Sequence, residues 1–180
     1  MNEGFKMVTA EYVMFIDNDI ILDEIFFKEL DKNYNLLNKC VIIPYEHSVI
    51  DLTERQRDLI LKNKRSFSEL TDLKYRIVKS VGGIALIKSE HYEKMGGFDP
   101  RFIGYGGEDN VFFIKSNLLY GVVRGNYKVY HLYHSRDLFG TDTTEELYKN
   151  NVKLVREYEK YDKEQLSNKI KEIGFTHIER

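Results

Sequence analysis

The stretch Tyr12-Val13-Met14-Phe15-Ile16-Asp17-Asn18-Asp19 sets the reading of this chain: five apolar residues give way at once to two carboxylates flanking an amide. A continuous apolar run predicts a β-strand covered on both faces, and therefore a central strand of its sheet. From Asp23 the period changes, with Ile25, Phe26, Leu30, Tyr34 and Leu37 at helical spacing. Cys40-Val41-Ile42-Ile43 reads as the next strand, ended by Pro44. Strand, helix and strand in succession are the mark of an α/β fold.

Outward from that core, Asn2 to Ala10 can form a short helix, and residues 46–80 are the least regular part. Helical pieces are expected there from Thr53 to Leu61 and from Ser68 to Val78. Ser80-Val81-Gly82-Gly83 leads into a third strand, Ile84 to Ile87. Ser89 is the expected N-cap of a short helix running to Met95, stopped by Gly96-Gly97. The stretch from Phe98 to Gly107 is rich in glycine and reads as loop. Glu108-Asp109 opens a helix to Tyr120 with Val111, Ile114 and Leu118 on one face, and strands follow at Val122-Val123 and from Tyr127 to Leu132. Beyond Thr143 the chain is helical and charged, with apolar stripes at Tyr148, Val152, Val155 and Tyr158 and at Leu166, Ile170 and Ile173. The expected division is a domain over 1–140 and a helical extension over 141–180.

Composition narrows the function classes. In 180 residues, 27 Lys and Arg face 29 Asp and Glu, a formal charge of -2. A dedicated nucleic-acid binder carries a basic excess or stripe, and the cluster Lys62, Lys64 and Arg65 is too small to supply one. The single Cys40 excludes an internal disulfide framework and a Cys-rich zinc site, and reads as a small buried hydrophobe. No apolar run reaches the roughly 20 residues of a membrane span, and no signal peptide is evident, so the default compartment is the cytoplasm. Thirteen Tyr and eleven Phe stand beside no Trp. That aromatic surplus suits either an amphipathic binding surface or an aromatic core.

Three clusters could carry chemistry. Asp17-Asn18-Asp19 lies at the carboxyl end of a strand, where α/β folds bind ligands, and residues two apart in extended chain share a side. Two convergent carboxylates suit Mg²⁺ or Mn²⁺ and a diphosphate, although the same residues also make an ordinary polar turn. Gly104-Tyr105-Gly106-Gly107-Glu108-Asp109 permits close approach to the backbone and fixes an acid at a helix start, or is simply a glycine loop with an acidic cap. His131 and His134 offer ligands of borderline character, but in a continuous strand their rings would diverge. The alternative is two ordinary, partly buried histidines. His47, His91 and His177 have no comparable company.

Taken in order, the three clusters resemble metal-dependent nucleotide-sugar glycosyltransferases of the GT-A fold. Residues 2–19 look like the segment ending in the Asp-x-Asp motif of those enzymes. Gly82-Gly83, Gly96-Gly97-Phe98-Asp99 and Gly104 to Asp109 are similar to the C-terminal half of β-galactosyltransferases and of bacterial chondroitin-polymerase-like enzymes. His131 to Asp137 resembles their closing metal-binding segment. The resemblance implies a mixed sheet flanked by helices, a UDP-sugar donor, a glycan acceptor and Mn²⁺, with Mg²⁺ as a substitute. It implies Asp19, His131 and His134 as metal ligands and Asp17 beside the ribose, diphosphate and metal. Gly82, Gly83, Tyr105, Gly106 and Gly107 would line the sugar site, Glu108 would hold a sugar, and Asp109 would be the base of an inverting transfer in polysaccharide biosynthesis.

This sequence departs from the family pattern at Tyr105, where a tryptophan is usual, at Asn110, where further acids often stand, and at His131, where methionine is common. Family members also place nucleoside-binding strands before the Asp-x-Asp segment. With the motif at residue 17, the expectation is a partial fold lacking those strands. A second copy or a separate nucleotide-binding subunit would complete it, or the chain would be a degenerate sugar- or nucleotide-binding domain. A metal-dependent hydrolase or phosphotransferase fits the carboxylates and histidines but not the Gly-Gly-Glu-Asp block between them.

Overall fold

The computed structural model describes residues 2–22, 24–45, 48–63, 66–77, 81–125, 127–134 and 144–173. Asp23, Lys64, Arg65, Val78 and Ser80, named above, lie outside these. The described chain is an α/β fold with two mixed four-stranded sheets flanked by helices. Helix α1 (Asn2–Phe5) precedes β1 (Tyr12–Ile16), β2 (Ile20–Leu22) and α2 (Glu24–Asn33). Then come β3 (Val41–Ile43), β4 (Ser48–Asp51), α3 (Glu54–Asn63), β5 (Lys74–Ile77), β6 (Ile84–Lys88) and α4 (Ser89–Lys94). Helix α5 (Glu108–Leu119), β7 (Val122–Arg124) and β8 (Val129–His131) lead to α6 (Glu145–Tyr158) and α7 (Lys163–Ile173).

One sheet has the order β1-β6-β3-β7 and the other β2-β8-β4-β5. In the first, β6 runs antiparallel to both β1 and β3, while β3 and β7 are parallel. In the second, β8 is antiparallel to β2 and parallel to β4. The chain leaves the first sheet for the second three times within a few residues: from β1 to β2, from β3 to β4 and from β7 to β8. The last two of these crossings are tied to each other, Gly125 N donating to Ile43 O and Tyr127 N to Pro44 O.

The strand β1 stands at the end of its sheet's order and is not central, as its apolar run suggested. Its continuous apolar character comes from cover on both faces. Tyr12 and Met14 pack on one core cluster, and Val13 and Phe15 on the other. The same alternation runs through β6, with Ile84 and Leu86 on one side and Ala85 and Ile87 on the opposite side.

Other expectations shift for local reasons. Ser89 is the first residue of α4 and not its cap; its hydroxyl donates to Ala10 O, which moors the helix to the chain entering β1. The helix expected from Ser68 to Val78 is a single 3-10 turn, Phe67–Glu69, followed by β5. Ser66 and Glu69 close a capping box, but the backbone is already extended at Leu70, with ψ 130°, and turns left-handed at Asp72, φ 55°. On α2, Phe26 is buried as its spacing predicts, whereas Ile25 is 62% exposed. Cys40 is buried, its thiol against Leu36 O. Among the described residues no helix is long and apolar enough to cross a membrane.

The aromatic surplus goes largely inward. Tyr45, Tyr92 and Tyr158 are fully buried, with hydroxyls donating to Gly82 O, Asn2 Oδ1 and Asp99 Oδ2. Phe98 stacks on Phe112 with ring centroids 4.8 Å apart, joining the loop after α4 to α5.

The central strand β6 predicts where stability is concentrated. Ile87 is 0% exposed, and Ile87→Ala should cost about 2–5 kcal/mol in urea unfolding, the range for a large-to-small change in a close-packed core. A loss below about 1 kcal/mol would contradict this packing.

Candidate active site

The β1–β2 crossing and the end of β8 bring the first and third clusters together. Ile20 pairs with His131 across β2 and β8, and Leu132 N donates to Asp19 O at 2.7 Å. Asp19 Oδ2 thereby lies 3.4 Å from His131 Nε2 and 3.2 Å from His134 Nε2. The two rings meet because β8 ends at His131, so the next three residues leave the ladder. Arg57 steadies that departure, donating to Tyr133 O with its guanidinium over the Tyr133 ring.

Asp51 was not singled out by its sequence. It ends β4, directly across from His131 in the parallel β4–β8 pair, and its Oδ1 is 3.3 Å from His131 Nδ1. His131 thus has a carboxylate at each ring nitrogen. A proton on Nδ1 toward Asp51 leaves Nε2 as the donor atom facing Asp19, the usual arrangement behind a metal-bound imidazole.

Among the described residues Asp19, His131 and His134 form a set whose ligand atoms lie within 4.8 Å of one another. One carboxylate oxygen and two imidazole nitrogens fit a divalent ion that takes both nitrogen and oxygen ligands, Zn²⁺, Fe²⁺ and Mn²⁺ among them; Mg²⁺ prefers oxygen alone. Asp17 is outside this set. Its backbone is fixed by donation to Gly83 O, and its carboxyl is pushed up first by burial and then by Asp19, with His131 opposing. On the other side it lines one small cavity with Gly82, Gly83 and Asp109. Asp17 therefore stands between the two halves of the site. Ser135, Arg136, Asp137, His47 and His177 lie outside the described residues. His91 is remote from the site in its role, its ring stacked on Tyr120 at 4.0 Å.

The second cluster opens α5. Gly107 is its N-cap at φ 97°, and Gly104 and Gly106 are also left-handed, at 72° and 98°. L side chains resist that region, so the loop's sharp path depends on these glycines. Asp109 sits so close to Gly82 that a Cβ there would fall 2.0 Å from Asp109 Oδ2. Enclosure pushes the Asp109 carboxyl up to about 7, with Glu108 and then Asp17 adding repulsion. The helix N-terminus favours the ionised form, and burial outweighs it.

A cleft of about 430 Å³ opens over this carboxylate. One wall is Tyr105, Gly106, Gly107 and Glu108, and the other is α6 through Tyr148, Val152 and Arg156, with Glu159 just past its end. Glu108 Oε2 is buried there with no hydrogen-bond partner among the described residues. A buried acceptor left in that state is costly. Nothing in the sequence marked α6 as a wall, since its stripe at Tyr148, Val152 and Val155 reads equally well as a docking face.

With this geometry in view, comparisons with known proteins define the class of fold. Residues 63–135 match the family model described as the N-terminal domain of galactosyltransferase, under half of the chain. The matched segment includes Gly82, the glycine loop, Asp109, His131 and His134, and leaves out Asp17, Asp19 and α6. No curated protein matches the chain significantly.

Among solved structures, S. aureus TarS in complex with UDP-GlcNAc is similar with a TM-score of 0.54 at 16% identity, covering 97% of this chain and 52% of that one. GalNAc-T7 with UDP, GalNAc and Mn²⁺ gives 0.52 at 16% identity, covering 88% and 35%. The catalytic domain of Drosophila β1,4-galactosyltransferase 7 with xylobiose gives 0.45 at 22% identity, covering 91% and 61%. The chain thus spans 35–61% of the length of these neighbours. At this identity the likeness defines the fold, a GT-A-type α/β architecture.

The raised Asp109 carboxyl has a consequence for stability. Folded Asp109 holds its proton to about 7, and the unfolded residue releases it near 3.8. Between those values the folded state binds the extra proton, so this group's contribution falls as pH rises through the window. Asp109→Asn should gain stability relative to wild type from pH 4 to pH 8, by about 1–4 kcal/mol. A difference between the two proteins that does not change with pH in urea unfolding would contradict the enclosure of this carboxyl.

Proposed function

We propose that the chain is the catalytic part of an inverting, metal-dependent glycosyltransferase that moves a hexose or N-acetylhexosamine from a UDP-sugar to a carbohydrate acceptor. The observation that carries this reading is the juxtaposition of two unlike halves. A carboxylate–imidazole cluster suited to a divalent ion stands beside Asp17, which shares a small cavity with the enclosed carboxylate Asp109. A structural neighbour solved with UDP-GlcNAc and another with UDP, GalNAc and Mn²⁺ agree with this donor chemistry.

In this reading Asp19, His131 and His134 hold the ion, and Asp51 orients His131. A bound divalent ion supplies positive charge to the diphosphate as it departs. Asp17 lies beside the ribose and diphosphate, and Gly82 and Gly83 line the donor side, Gly82 making room for the Asp109 carboxylate. The acceptor sugar occupies the cleft against Tyr105, Gly106 and Gly107, with one hydroxyl donating to Glu108. Asp109 takes the proton of the attacking hydroxyl. The acceptor oxygen bonds to the anomeric carbon as the bond to the UDP oxygen breaks on the opposite face, which inverts the centre. A base with a pKa near the working pH balances being ionised against being basic enough. Because the chain spans only part of its neighbours' length, activity of this chain alone belongs to the proposal.

Calorimetry and product assays with UDP-sugars and Mn²⁺ test it. Asp19→Ala or His134→Ala should weaken metal-dependent donor binding at least about tenfold, the scale expected for loss of a metal contact. Asp109→Asn should leave donor binding nearly intact while slowing transfer about 10²–10⁴-fold. In the wild type, kcat/KM should climb with pH through about 7, and that limb should vanish in Asp109→Asn. Donor binding indifferent to Mn²⁺ and to both ligand substitutions would overturn the assignment.

A further inference from the structure

We infer that α6 is a clamp on the glycine loop, and that Asn151 is the positioning residue through which this helix sets the placement of Asp109. The inference rests on the glycosyltransferase reading for the role of Asp109, but the clamp itself rests on contacts alone. Asn151 is 2% exposed, and its Nδ2 donates to both Ile103 O and Tyr105 O, at 3.0 and 3.2 Å. One amide thus uses its two protons on two carbonyls of the same loop. The two carbonyls flank the left-handed Gly104 and converge on this one nitrogen.

The fit of shape agrees with the hydrogen bonds. A Cβ at Gly107 would lie 2.8 Å from Val155 Cγ2 and 3.6 Å from Asn151 O, and one at Gly106 would lie 3.3 Å from Tyr148. The loop backbone therefore rests directly on the surface of α6. A second rivet holds the loop's entry: the Tyr158 hydroxyl donates to Asp99 Oδ2 at 2.8 Å, and Arg101 grips the same carboxylate. Asp99 has a side-chain exposure of 1%, so this pair is enclosed. Gly107 is the N-cap of α5, and Asp109 is two residues further on. Whatever fixes Gly107 therefore fixes the first turn that carries the carboxylate.

The clamp lies outside the segment that matches the galactosyltransferase family model, whereas the loop it holds lies inside. Helix α6 is thus part of the working site. Glu108 and Tyr105, carried by the same loop, should move with Asp109 when the clamp is released, so acceptor binding and turnover should suffer together. The ion cluster is built on β2 and β8 and should be spared.

The test compares wild type, Asn151→Ala and Tyr158→Phe. Hydrogen exchange of the amides of residues 104–109, read on the protein alone, should be about tenfold faster in Asn151→Ala and less so in Tyr158→Phe, as expected for local opening of a loop that has lost a tether. In turnover, Asn151→Ala should lower kcat about tenfold and raise acceptor KM, while UDP affinity with Mn²⁺ and its binding stoichiometry stay within about twofold. A role limited to stability would instead reduce the binding stoichiometry and leave acceptor KM unchanged. If Asn151→Ala fails to fold, Tyr158→Phe, which loses a single hydroxyl, carries the same comparison. Unchanged loop exchange in the folded variants would overturn the clamp. A wild type with no transfer activity would instead overturn the glycosyltransferase reading and the link to Asp109, and exchange would decide the clamp by itself.

Discussion

The backbone hydrogen bond from Leu132 N to Asp19 O, 2.7 Å long, is the constraint on which the site depends. It binds the turn leaving β1 to the segment leaving β8, at the place where the chain passes from one sheet to the other. Asp19 would otherwise be a turn residue facing solvent, and His131 and His134 would be two imidazoles at a strand end. A similar bond, Asp17 N to Gly83 O, ties the same turn to the entry of β6. The crossing thus collects residues from three distant parts of the chain using main-chain bonds, which depend little on side-chain identity.

The carboxylate half of the site is built by the opposite means, through close fit of side chains and glycines. Gly82 yields the space that Asp109 fills, and Tyr45, fully buried, holds Gly82 in place through its carbonyl. Burial of an acid is destabilising, and the enclosure persists because surrounding contacts impose it. The α6 helix supplies much of that surround. Its apolar stripe packs with Val111, Ile114 and Leu118 of α5 through Val155 and Tyr158, which anchors the helix before Asn151 reaches the loop. Core packing and site geometry are therefore one set of contacts on this side.

Much of this organisation was legible in the sequence. The change from an apolar run to helical spacing located β1, α2 and β3, and the spacing of Val111, Ile114 and Leu118 found the face of α5 that meets the C-terminal helices. The members of the candidate metal cluster stood out in the sequence as polar residues beside predicted strands. Asp51 did not, because its meaning lies in strand pairing: β4 is four residues in an irregular stretch, and only its register with β8 sets Asp51 beside His131. The strand β2 is three residues long, too short to show a period. Asn151 was hidden for another reason. It sits among charged neighbours on a helix that looks like a solvated extension, and nothing local shows that a distant loop needs two donors. An apolar run reported cover on two faces correctly at β1, but could not report its rank in the sheet.

The most direct measurement of the central claim, that a divalent ion is held where the two sheets exchange strands, is NMR of the histidine ring signals during titration with Mn²⁺ and UDP. With an ion held there, substoichiometric Mn²⁺ should broaden the ring resonances of His131 and His134 first and leave those of His91, stacked on Tyr120, as a sharp internal control. The phosphorus signals of added UDP should broaden with them. Broadening spread evenly over all histidines, or none at His131 and His134, would contradict it.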